Sequence, residues 1–365
     1  MDHYILVAAV DYGFDGGTSD FRVVCDNRMK RLIARNKKKK DMTFHIYDFL
    51  RGEIVTHEVT YKKGNKKQSK KVQNKYNRIS KANYRSVNHG TYNSYRFRDG
   101  QDNVMSIVDV YKAVQDIGDH SPGTLMELSF FSHGWMGGPI LVNSYDDREA
   151  NIQLHPSLPS FTHSFRGASS RDPDDKDPRG ELDFIPPTMT NQNLQHFQHA
   201  FHPDGYVWLW GCAFPRTIHQ ILYRIEKHSM YRANGVGDES LFEFTTFTKE
   251  EISLLESYLQ SHNQRFPNKG KVEIKFKYLK HFFCLASQNT YAYQIARNAN
   301  VKTYGAVLGT YSIYEKGRLP LLKVDGSFRR HFTFYKNYLG FDFDPEGRNY
   351  GEYLPGMDCP SPASP

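Results

Sequence analysis

An α/β domain built on a mostly parallel, doubly wound sheet flanked by helices is predicted from three features of the 365-residue sequence. Short, continuously apolar runs stop at polar or glycine-rich turns, amphipathic stretches with three- and four-residue spacing alternate with them, and long polar excursions interrupt the pattern. Strands that alternate with helical stretches favour parallel pairing through helical crossovers.

The first apolar run, Tyr4 to Val10, ends at Asp11-Tyr12-Gly13 and reads as a central strand, with Gly13, Gly16 and Gly17 marking a loop. A helix is expected over Phe21 to Arg35, a strand over Thr43 to Phe49, and a further strand or hairpin arm over Glu53 to Tyr61. The stretch 62–98 is polar and lysine-rich and reads as an exposed excursion. Val104, Ile107, Val108, Tyr111, Val114 and Ile117 mark one apolar helical face ended by Gly118.

Leu125 to Phe131 is a buried strand that stops at Ser132-His133-Gly134. The stretch 145–187 is acidic and rich in Pro and Ser, and is expected as a surface insertion. A short helix over Asn191 to Phe201 and a strand over Tyr206 to Trp210 follow, the strand stopping at Gly211-Cys212. Pro215 suits the first position of the next helix, whose buried stripe is Ile218, Ile221, Leu222 and Ile225. A helix from Lys249 to Ser261, a strand in two pieces over 271–287, a helix around Ala292 to Ala299 and a last strand pair over Val301 to Tyr314 complete the expected domain, 1–340. The tail 341–365 is expected to be loosely ordered.

Composition narrows the class. Hydrophobic residues make up 39% of the chain and charged residues 24%, which argues for a globular protein and against general disorder. The net charge of +8 is concentrated at Lys37 to Lys40 and in the arm that opens with Lys62 and ends with Lys81, so a polyanion contact is expected there and not over the whole fold. Cys25, Cys212, Cys284 and Cys359 form no CxxC pair, so reduced thiols in a cytoplasm-like compartment are the expectation. The apolar N-terminal stretch is too short for a membrane span and has no basic flank of the kind that marks a cleaved signal peptide. His196, His199 and His202 have no acidic or cysteine partner at ligand spacing, so neither a metal nor another cofactor is expected.

The chemistry concentrates at two strand ends. Ligands of open parallel sheets bind beyond the carboxyl ends of the strands, where both His133 and Cys212 are expected. A thiol near a helix N-terminus and an imidazole gains thiolate character; His133 would serve as acid and base. Gly134 permits close approach of a substrate, Gly137 and Gly138 extend the loop, and the N–H groups of Gly134 and Cys212 would bind an oxyanion.

These residues resemble the caspase-like (clan CD) cysteine peptidases, among them caspases, metacaspases, legumains, gingipains, separases and CHAT-domain proteases. In that group one hydrophobic strand ends in His-Gly and a later one in the nucleophilic Cys, which Phe130-Phe131-Ser132-His133-Gly134 and Val207-Trp-Leu-Trp-Gly211-Cys212 match. The resemblance implies a His133–Cys212 dyad cleaving peptide bonds through a thioester, with the segment around Asp11 and the Cys284 to Gln288 segment, Ser287 included, near the substrate pocket; Asp11 and Asp15 could orient a basic substrate side chain or bind a cation. The caspase Gln-Ala-Cys-x-Gly signature is absent, and Cys212 follows His133 by 79 residues where caspases have about 50.

Two other readings stand beside it. Ser132 to Gly138 also resembles the His-Gly loop of lipases, which points to an esterase or acyltransferase; its nucleophile elbow needs glycines where this chain has Trp210 and Phe214. The third is a non-enzymatic polyanion-binding protein that uses the lysine arm.

Overall fold

The computed structural model describes residues 1–11, 20–79, 85–89, 92–96, 103–136, 138–142, 149–152, 161–164, 183–232, 235–244, 248–264 and 272–362. Its centre is an eight-stranded sheet. The strands are β1 (Asp2–Ala8), β2 (Met42–Asp48), β3 (Glu53–Lys62), β4 (Asn65–Asn74), β5 (Leu125–Phe131), β6 (Phe201–Leu209), β7 (Lys302–Gly305) and β8 (Gly351–Tyr353), in spatial order β8-β7-β6-β5-β1-β2-β3-β4. The five from β7 to β2 are mutually parallel, while β8 at one edge and the β3–β4 hairpin at the other run antiparallel. The mostly parallel α/β class is therefore as expected.

Burial explains the apolar runs. A parallel strand covered on both faces has no solvent side, so Ile5 to Val10 and Leu128 to Phe131 are buried almost without alternation. Helix α1 (Phe21–Arg35), capped by Asp20, lies against β1, and α2 (Ile107–His120), α3 (Asn191–Ala200) and α7 (Tyr291–Ala299) pack on one another. Tyr111 of α2 touches Phe197 of α3 edge-on and Phe184. Helices α4 (Arg216–Lys227), α5 (Lys249–Ser261), α6 (Phe276–Gln288) and α8 (Arg329–Leu339) complete the layers.

Several expectations need correction. Residues 272–288 are not a strand in two pieces: only Val272–Lys275 is extended, and α6 follows at once. Pro215 is the N-cap of α4, which starts one residue later than expected. The lysine-rich stretch begins as a regular edge strand, β4, while Lys81 lies outside the described residues. Asp183 and Phe184, at the end of the acidic insertion, are buried; most of the rest of that segment lies outside the described residues.

The tail is corrected most. Beyond Gly340 the chain supplies β8, and Phe341, Tyr350 and Tyr353 are buried in the core. Cys359 closes a disulfide with Cys284 across 75 residues of sequence, so of the four cysteines only Cys25 and Cys212 are free thiols.

An extended ion-pair network lies in the interior around Arg28. Arg28 of α1, fully buried, forms a two-pronged pair with Glu127 of β5, at 2.9 Å from Nε and from Nη2. Its Nη1 reaches Glu346 at 2.7 Å, Tyr206 of β6 bonds to both partners, and the guanidinium lies over the rings of Trp208 and Trp210. Burial opposes the charge on Arg28, but Glu127 and its neighbours hold its pKa above the ordinary arginine value. Burial likewise opposes the charge on Glu346, yet Arg28 and Arg35 hold its carboxyl down at about 2.

Three outcomes are expected. Arg28→Ala leaves buried carboxylate uncompensated and should lower unfolding free energy by about 3–5 kcal/mol in urea denaturation. Because Glu346 titrates lower in the folded chain than in the unfolded one, its stabilisation is present above about pH 4.5 and is lost as pH falls toward 2. Glu346→Gln should therefore flatten the acid limb of a stability-versus-pH curve. Thiol counting by alkylation of the unreduced, denatured chain should find Cys25 and Cys212 alone; labelling of Cys284 would contradict the disulfide.

Candidate active site

Sheet topology selects the location. The chain moves from β1 to β2 on one side and later to β5 on the other, so the strand order reverses between β1 and β5, where open α/β sheets form a crevice at the carboxyl ends. Asp11 follows β1 and His133 follows β5. The Ala9 N–H donates to the Phe131 carbonyl at 3.0 Å and the Val10 N–H to Leu141 at 2.8 Å, which carries β1 onward to the level of His133. There Asp11 Oδ1 lies 2.8 Å from His133 Nε2, and the ring of Phe21, at the start of α1, meets the imidazole edge-on.

Register brings Cys212 to the same height. Leu209 pairs with Phe130, and both Cys212 and His133 lie three residues farther along their strands. The two strand ends then touch through backbone: a β-carbon built on Gly134 would stand 3.1 Å from the Cys212 carbonyl oxygen and 3.3 Å from its nitrogen, and one on Gly211 would stand 3.0 Å from the Gly134 nitrogen. Glycine at both positions permits this approach.

The segment after Cys212 is fixed by a loop. Ala213 and Thr310 form an antiparallel bridge, the Ser312 N–H donates to Cys212 Sγ at 3.3 Å, and the Ser312 hydroxyl donates to the Gly211 carbonyl at 2.8 Å. The Tyr350 hydroxyl donates to the Trp210 carbonyl at 2.8 Å. Below the loop, Glu226, His331 and His219 form a chain that ends at the Gly309 carbonyl. Gly134, Gly211, Cys212, Tyr291, Ala292 and Ala306 line a small cavity of ≈ 20 Å³ beside the thiol, room for one water.

Thiol electrostatics differ from expectation. Cys212 stands four residues ahead of α4, and burial pushes its pKa up, with the Ser312 N–H opposing this only in part. Burial thus favours the neutral thiol over the thiolate.

Of the other expected site residues, Asp11 faces the imidazole, and Asp15 lies outside the described residues. Ser287 does not face the crevice: it is buried in α6, where its hydroxyl donates to the Phe283 carbonyl at 2.8 Å. Cys284, in the same helix, is held in the disulfide. Sequence reasoning missed Ser312 and Tyr350, which carry no local motif, and assigned Asp11 to substrate and not to the histidine. Among the described residues no helix is long and apolar enough to cross a membrane. Comparisons with family models, curated proteins and solved structures find no match to this chain.

The neutral thiol sets a pH expectation. Carboxymethylation of Cys212 in the folded protein should keep accelerating as pH rises past about 8.5, the value for an unperturbed cysteine. A rate that levels off below about pH 7.5 would show an activated thiolate instead.

Proposed function

We propose that the chain is a cysteine peptidase of caspase-like type in which Cys212 is the nucleophile, His133 the acid and base, and Asp11 the group that orients the imidazole. The observation that carries this reading is the backbone contact of Gly134 with Gly211-Cys212, level with the Asp11–His133 pair. It sets a thiol and a carboxylate-bound imidazole at neighbouring carboxyl ends of one parallel sheet, an arrangement suited to acyl transfer.

The chemistry follows from the neutral thiol. Sγ attacks the scissile carbonyl carbon as its proton passes to His133, the carbonyl oxygen gains negative charge, and the N–H groups of Gly134 and Cys212 stabilise it. Collapse breaks the C–N bond, His133 returns the proton to the leaving amine, and a thioester remains. Water, deprotonated by His133, then releases the acid and restores the thiol. Asp11 holds one ring nitrogen, which fixes the tautomer and steadies the imidazolium formed at each step.

The test is an electrophilic peptide probe, such as a peptidyl acyloxymethyl ketone, followed by peptide mapping. The adduct is expected on Cys212 and is lost in Cys212→Ala. His133→Ala should lower turnover about 10²–10⁴-fold with the fold intact by circular dichroism. Asp11→Ala should lower kcat with little change in KM and alter the pH profile. An adduct on Cys25, or activity that survives Cys212→Ala, would overturn the assignment.

A further inference from the structure

The edge of the sheet farthest from Cys212 has its own chemistry. All ten residues of β4 are exposed, and lysines occur there and in the preceding turn as pairs: 62–63, 66–67 and 70–71. Successive side chains of a strand point to opposite faces, so the pairs 66–67 and 70–71 each set one ammonium on each face of β4, ~13 Å apart, while Lys62 and Lys63 stand at the hairpin tip, where Lys62 pairs with Asn65. The strand spans roughly 33 Å, about one turn of duplex nucleic acid.

A second element joins it. The turn of Lys37 to Lys40 meets the hairpin tip, where Lys39 Nζ lies 3.8 Å from a β-carbon built on Gly64. Between α1 and the hairpin runs a groove of ≈ 540 Å³ lined by Lys30, Ile33, His57, Tyr61, Lys66 and Gln68. Lys70 stands opposite His57, whose pKa is lowered chiefly by burial and also by Lys70. Three carboxylates are near: Glu58, which also lines the groove and accepts from the Ser69 hydroxyl at 3.0 Å, Asp41, which accepts from the Tyr61 N–H at 2.8 Å, and Asp2, which pairs with Lys40 at 3.5 Å. Among the described residues, Lys62, Lys63, Lys66, Lys67, Lys70 and Lys71 have no acidic partner within ion-pair distance.

Lysine on an edge strand has a structural purpose of its own, since it blunts pairing with another chain. That purpose explains β4 but not Lys30 on a helix or Lys37 to Lys40 in a turn, which extend the same cationic surface. We infer that this surface binds the phosphodiester backbone of double-stranded nucleic acid without regard to sequence. A uniform line of phosphates meets paired lysines in any register, whereas an acidic peptide would need charges matched to the four-residue repeat. A bilayer is disfavoured because Val72 is the one large apolar side chain exposed along β4.

The test is fluorescence anisotropy of the full chain with a labelled duplex DNA of about two helical turns, titrated at salt from about 50 to about 200 mM. Micromolar binding at low salt is expected, with log K falling linearly against log salt. Replacing Lys66, Lys67, Lys70 and Lys71 with Gln should weaken binding at least tenfold at low salt and make the slope shallower by up to about 3.6, at about 0.9 per phosphate contact. A second variant with Gln at Lys37 to Lys40 should act in the same direction and keeps the test open if the first loses its fold. Absence of binding by the unaltered chain, equal binding by both folded variants, or tighter binding to phosphatidylserine vesicles than to duplex would each overturn the inference.

Discussion

The ion pair between Arg28 and Glu127, enclosed by Trp208 and Trp210, is the constraint on which the placement of the site depends. Removing both charges from water is costly, and the cost is met only while the two-pronged geometry, the Tyr206 hydroxyl and Glu346 are all in place. Glu127 stands on the strand that leads into His133, and Trp208 on the strand that leads through Trp210 to Cys212. A one-residue slip between β5 and β6 would turn either Glu127 or the indoles to the other face and break up the cluster around Arg28. The same slip would move His133 off the level of Cys212. The register that satisfies the buried charge is thus the register that brings the backbone after β5 against that of Gly211-Cys212.

The C-terminal segment closes this arrangement from below. Glu346 bonds to Arg28, Arg348 lies over Trp210 and pairs with Glu346 and Glu315, and Tyr350 holds the Trp210 carbonyl. Asp344 gathers the backbone N–H groups of Glu346, Arg348 and Tyr350, which fixes the turn that delivers these side chains. The segment Trp210 to Cys212 is therefore clamped by residues a hundred or more positions away in sequence, Ser312 at Gly211 and Cys212 and Tyr350 at Trp210.

That distance explains what was legible in the sequence and what was not. Strands β1 and β5 showed as continuous apolar runs because both their faces are buried, β6 showed by its apolar run from Tyr206 to Trp210, and the residues that follow them were placed by the strand-end rule. Helix α6 was misread because Phe276, Tyr278, Phe282 and Phe283 have strand propensity, while its helical spacing is obscured by burial on nearly all sides from Phe282 to Ser287. Residues 341–353 were read as a loose tail because their contacts are with distant aromatic rings and leave no local period. The Cys284–Cys359 pairing was hidden for the same reason: nothing between them marks the return of the chain.

The motif itself was short, yet its two glycines had a spatial meaning. Gly134 and Gly211 face each other so closely that a β-carbon on either would press on the other's strand end within 3.0–3.4 Å. The contact requires that two backbones, each ending a buried strand, meet without side chains between them, while Asp11 holds the imidazole from the opposite side. A Gly beside each candidate reactive residue therefore carried more information than the His or the Cys alone, because it reported the close approach that could place a dyad, and that approach is set by the sheet.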